Sequence, residues 1–154
     1  MLKVSSNIPE IVGRLQGKID SLNNVGANND KVMRAIATAA LSEIVVRIHK
    51  RGENSSGAAI GTYSNSYLKR RQRKPFNRTS DNKVIFSLTR QMERDTSVIE
   101  QGTGRYGIGF KNSVNAEKAE WLQQRFGKVY SLTAKERNTL KAKANEIIDE
   151  LFNK

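Results

Sequence analysis

Acid–base, nucleophilic and metal chemistry need side chains that converge, and this sequence offers few of the right kind. Histidine occurs once, at His49, and cysteine is absent. Thiolate nucleophiles, disulfides and Cys-based metal sites are thereby excluded. At the C-terminal end of a predicted helix, His49 reads as a charge favoured by the helix dipole rather than as a ligand. Glu93 with Asp95, and Asp149-Glu150, read as solvated surface acids. A general acid and base can meet through folding alone, but no carboxylate pair here has spacing tied to a motif. Gly102-Thr103-Gly104-Arg105-Tyr106-Gly107 matches G-x-G-x-x-G letter for letter. That fingerprint needs a helix opening within it, so that phosphate meets helix N–H groups. Here a strand follows, and no ribose-binding acid stands in a βαβ context. No catalytic residue, metal ligand or cofactor is expected. Asn54-Ser55-Ser56 and Asn77-Arg78-Thr79 fit the glycosylation pattern, which carries no weight without a secretory signal.

The residues that can do something are cations. Five of the six from Lys69 to Lys74 are basic, namely Lys69, Arg70, Arg71, Arg73 and Lys74, and Arg78 follows. Tyr63, Tyr67 and Phe76 are interspersed. Guanidinium and ammonium groups neutralise phosphates without reading sequence, and aromatic rings add stacking or anchoring. The same run could dock on an acidic protein surface, or remain a solvated loop; charge alone does not separate these. The whole chain of 154 residues carries +12. Residues 50–80 supply +7 of that, eight Lys and Arg against Glu53, with no acid between Glu53 and Asp81.

The elements that must position these cations follow from periodicity. Ile8, Ile11, Val12, Leu15, Ile19 and Leu22 have helical spacing, with Asn7 as cap and Glu10 three residues on. Asn29 or Asp30 caps a second, longer helix to about His49, with a wide apolar stripe through Val32, Ile36, Ala40, Ile44 and Ile48. Arg34, Thr38 and Arg47 fall on its outer face. Residues 50–82 have no clean period and read as a long loop or basic arm. From residue 83 the period becomes two. Val84–Leu88, Thr96–Gln101 and Tyr106–Phe110 read as strands, the last two joined by a glycine hairpin, with Val129–Ser131 as an edge candidate. Gly107 and Gly109 leave one strand face open to a close neighbour. A helix is predicted over about Asn115–Phe126, ended by Gly127. Thr133 and Glu136 form a capping box for a closing helix with Leu140, Ala144, Ile147, Ile148 and Leu151 inward. The expectation is one α+β domain over 1–154: two N-terminal helices, a long basic arm, an antiparallel sheet of three to four strands and a long C-terminal helix.

Met1–Asn7 has no apolar run after Lys3, so a signal peptide is not expected, and no stretch approaches the roughly 18 apolar residues of a membrane span. A hydrophobic fraction of 37% with 27% charged residues is polar, yet not a disorder composition.

The order of these features resembles the head–tail connector, tail-completion or virion-morphogenesis proteins of tailed bacteriophages. The likeness is one of pattern over most of the chain. Ile48-His49-Lys50-Arg51 ends the helical pair, and a polar arm with Tyr63-Ser64 and the Lys/Arg run follows. Then come Val84-Ile85-Phe86-Ser87-Leu88-Thr89-Arg90-Gln91-Met92, the hairpin ending in Ile108-Gly109-Phe110, and Ala119-Glu120-Trp121-Leu122-Gln123 leading to Phe126-Gly127-Lys128. Tyr130-Ser131-Leu132-Thr133-Ala134-Lys135-Glu136 opens the final helix. Where the family has Gly after its Leu-Thr pair, this chain has Arg90, which leaves the turn geometry there open. The resemblance implies a non-enzymatic virion component, made in the host bacterial cytoplasm. It would form a ring of its own copies in the neck, meeting portal or adaptor and tail proteins, with non-specific contact to DNA in the channel as a further option and no membrane. The alternative is a free-standing basic nucleic-acid-binding protein.

Overall fold

The computed structural model describes residues 29–78, 81–102 and 104–152; the predicted helix around Ile8–Leu22 lies outside them. Helix α1, Asn29–Val46, buries Val32, Ala40 and Ile44 of the predicted stripe, with Ala37 beside them. It does not stop at His49 as a regular helix. Its last turn widens into a π-helical turn, Arg47–Arg51, closed by Gly52 in the left-handed conformation (φ 67°). A Cβ on Gly52 would stand 2.8 Å from the Val84 carbonyl, so this position requires glycine for space as well as for φ.

The predicted arm is partly structured. Isolated bridges pair Glu53 with Ala59 and Thr62 with Lys83. Within the segment that the second bridge closes lies helix α2, Asn65–Gln72, whose N-cap is Ser64, its side chain accepting from the Tyr67 N–H. Short helix α3, Gln91–Asp95, leads into strand β1, Thr96–Glu100, which pairs antiparallel with β2, Tyr106–Phe110, in the register Val98↔Ile108. Among the described residues the sheet has two strands, not three to four. Val84–Leu88 fails as a strand because Phe86 sits at φ 46°, which turns the chain out of the extended region. Val129–Ser131 runs irregularly and gives its carbonyls to a side chain rather than to a sheet edge.

Helix α4, Ser113–Phe126, starts at Asn112, whose side chain accepts from the Val114 N–H. Helix α5, Ala134–Phe152, closes the fold. Its capping box forms as predicted: the Glu136 N–H donates to Thr133 Oγ1 at 3.0 Å, and the Thr133 N–H donates to Glu136 Oε2 at 2.7 Å. The core gathers Ile44, Ile48, Ile60, Val84 and Val129, with Tyr63, Phe86, Ile108 and Phe126 against it. It therefore joins α1, the arm segment and the α4–α5 connection into one body.

Arg47 sits within that junction, not on the outer face. It is 1% exposed. Its Nε donates to Glu136 Oε1 at 2.6 Å, Nη1 to the carbonyls of Glu53 and Val129, and Nη2 to the Ser131 carbonyl at 2.8 Å. A buried guanidinium is tolerated when its charge is paired and its donors are used, and here both hold. Glu136 thus serves twice, one oxygen capping α5 and the other holding Arg47.

Candidate functional site

The basic run splits into two environments because α2 is helical. Lys69, Arg70, Arg73 and Lys74 are exposed and, with Ser66 and Phe76, line a shallow concavity on the outer side of α2. Arg71 points the other way and is 1% exposed. Its guanidinium carbon lies 4.4 Å above the centre of the Tyr63 ring, and Nη1 donates to Tyr63 Oη at 3.3 Å. Tyr63 Oη also accepts the Ile85 N–H, so this ring fixes the Arg71 side chain against the core. Burial, its largest influence, raises the Tyr63 pKa and keeps the phenol neutral. Arg71 makes no ion pair among the described residues, and its Nε has no hydrogen-bond partner there.

Arg78 is half-buried. The chain folds back after α2, so that the Arg78 N–H donates to the Arg71 carbonyl at 2.8 Å. The Arg78 Nε then reaches the Leu88 carbonyl at 2.9 Å. Arg71 and Arg78 come together around a pocket of about 300 Å³ that is also lined by His49, Lys50, Asp81 and Arg90. The predicted binding residues are therefore not one arm: four form an exposed ridge, and two turn into a pocket.

His49 lies 3% exposed, which corrects the reading of it as a helix-end charge. Its Nδ1 stands 2.9 Å from the Ile85 carbonyl, which accepts, so Nδ1 carries the proton of a neutral ring. Burial is the main cause that lowers its pKa below 6.5. Arg90 adopts the left-handed conformation (φ 60°) and clamps both Glu93 oxygens, Nε to Oε2 at 3.0 Å and Nη2 to Oε1 at 2.8 Å. The Arg90 hydrogen bond is the first cause that holds the Glu93 carboxyl at about 2, and Ser87 Oγ donates to the same carboxylate.

A larger, mostly apolar groove of about 730 Å³ opens on the other side of Tyr63. Its walls include Tyr67, Phe86, Met92, Trp121 and Phe126. Trp121 is 57% exposed at its edge, and Lys118 and Arg125 supply the polar rim. The groove was not read from sequence, because its walls come from the arm, the irregular Val84–Leu88 segment and α4. The Gly107–Gly109 face is partly covered: a Cβ at Gly107 would meet Gln101, and one at Gly109 would meet Ile99. The glycine hairpin runs into β2 and opens no helix, which disposes of the dinucleotide pattern.

Among the described residues no group of three or more His, Cys, Asp or Glu could hold a metal ion. No helix among them is long and apolar enough to cross a membrane. The chain matches no protein-family model, no curated protein and no solved structure.

Proposed function

We propose that this chain is a non-enzymatic structural protein of a tailed-phage virion, forming a ring in the neck that joins the portal side of the head to the tail. The observation that carries the reading is the ordered series of motifs from Ile48 to Glu136, together with the backbone at Arg90. The family pattern has glycine there, and Arg90 stands in the left-handed conformation that glycine adopts without cost. A turn demanding that conformation accounts for both residues. The Trp121-edged groove and the ridge of Lys69, Arg70, Arg73 and Lys74 are the surfaces that would meet a neighbouring copy, the portal or adaptor, and the tail. In this reading the fuller expected architecture, with an N-terminal helix ahead of α1, belongs to the ring subunit. Deleting the gene should leave filled heads and complete tails unjoined. Normal joined particles without it would refute the proposal.

A second reading, nucleic-acid binding by a free-standing protein, is favoured by one observation: the four exposed cations share one side of α2 with Phe76 beside them. DNA retention that falls steeply with salt and is lost when these four are neutralised would support it.

A further inference from the structure

The pocket between the π-helical turn, the end of α2 and the returning chain at Arg78 presents an imbalance of charge. Lys50, Arg71 and Arg78 line it as cations, and Asp81 is the carboxylate among them. Arg90 also lines it, but Glu93 already neutralises that guanidinium in a two-point contact. Neutral His49 adds no charge. Asp81 is exposed, and its Oδ1 accepts the Lys83 N–H rather than a side-chain cation. The excess is about two positive charges, one of them on a guanidinium buried to 1% exposure. Burying an ion without a counter-ion is unfavourable, and cation–π contact with Tyr63 offsets only part of that. Arg71 is therefore poised for an anion that the described residues do not supply. The backbone around the pocket is also unusual. Asn77 (φ 47°) and Arg90 (φ 60°) both line it in the left-handed region, and His49 and Lys50 ride on a π-helical turn. Such features collect at binding sites, where surrounding contacts hold the strain.

We propose that this pocket is a phosphoryl-binding site, with Lys50, Arg71 and Arg78 as its ligands. Three cations from three separate segments surround the space, which suits a tetrahedral anion offering oxygens in several directions. A carboxylate presents its oxygens in a single plane. The phosphoryl group has two sources, soluble phosphate and a DNA phosphodiester. The inference does not depend on the neck assignment, because it uses only the pocket's own charge and geometry.

The test is calorimetric titration of the full chain with inorganic phosphate, against sodium chloride at matched ionic strength. Saturable binding is expected, weakened at least tenfold in Arg78→Gln and unchanged in the ridge variant Lys69→Gln/Lys74→Gln. Arg78→Gln and Lys50→Gln leave buried Arg71 and its Tyr63 contact in place, so the fold persists if Arg71→Met does not. Competition by a short DNA duplex, itself lost in Arg78→Gln, supports the site and names the phosphodiester as its source. Phosphate binding that DNA does not disturb supports the site and names soluble phosphate. Heat no larger than that of chloride overturns the proposal. So does equal binding of acetate, which would mark a carboxylate site for a protein neighbour, and so does phosphate binding that is lost in Lys69→Gln/Lys74→Gln but kept in Arg78→Gln.

Discussion

Replacing Arg47 should unfold a large part of this protein's stability margin. Its guanidinium makes four hydrogen bonds to four residues, Glu136, Glu53, Val129 and Ser131, and both members of the ion pair are nearly sealed from water, at 1% and 3% exposed. Arg47→Ala leaves the Glu136 carboxylate and three carbonyls without that donor. Removing one partner of a buried pair costs about 3–5 kcal/mol, against a total of about 5–15 kcal/mol for a typical domain. At about 2–4 °C per kcal/mol for a domain of this size, the midpoint should drop by about 6–20 °C. Glu136→Gln should cost less, since the amide oxygen can still accept from Thr133 or from Arg47. The double variant Arg47→Met/Glu136→Leu should cost less than the sum of its two single changes, because no buried charge is stranded. Urea unfolding followed by circular dichroism measures all of these, with unchanged slopes required for comparison. If Arg47→Ala falls within about 1 kcal/mol of wild type, the junction described between α1, α5 and the 129–131 segment is wrong.

Further expectations concern backbone, charge and pH. Neither glycine nor alanine at position 90 can hold Glu93, so Arg90→Gly should be more stable than Arg90→Ala by about 1–2 kcal/mol, the cost of a left-handed Cβ, in the same urea assay. Lys69→Gln/Arg70→Gln/Arg73→Gln/Lys74→Gln should change stability by no more than about 0.5 kcal/mol, since all four are exposed, while adding Arg71→Gln should lower it clearly. His49 has its pKa lowered in the fold, so the unfolded chain binds its proton more readily. Its contribution is complete above about 6.5 and falls as the pH drops below it, a slope that His49→Asn should remove. The Glu93 carboxyl, held at about 2 chiefly by Arg90, contributes stability that is complete above the usual value of 4.5 and is lost between 4.5 and about 2. Arg90→Gly should shift that loss upward in an acid-unfolding titration.

Elements whose signal is local were legible in the sequence. The α1 stripe, the β1–β2 hairpin, α4 and the Thr133–Glu136 capping box follow from spacing over a few residues, and they form as expected. What was misread depends on partners far along the chain. Arg47 falls off the apolar stripe of its helix, and nothing nearby announces Glu136, which stands 89 residues away. Val84–Leu88 has the alternation of a strand, but Phe86 turns into the left-handed region and ends it. The basic run looked uniform because charge has no visible period. Ser64 before Asn65–Gln72 is a usable N-cap signal, and a helix there would have turned Arg71 away from Lys69 and Arg70. That separation, ridge from pocket, is what the sequence concealed about the candidate site.

The neck assignment is tested most directly by a high-resolution map of particles assembled with this chain present. A closed ring of its copies is expected between portal and tail, with adjacent copies in head-to-tail contact. The ridge of Lys69, Arg70, Arg73 and Lys74 should lie within an interface or face the channel. Particles whose neck holds no density for this chain, or a lone copy bound to no virion component, would contradict it.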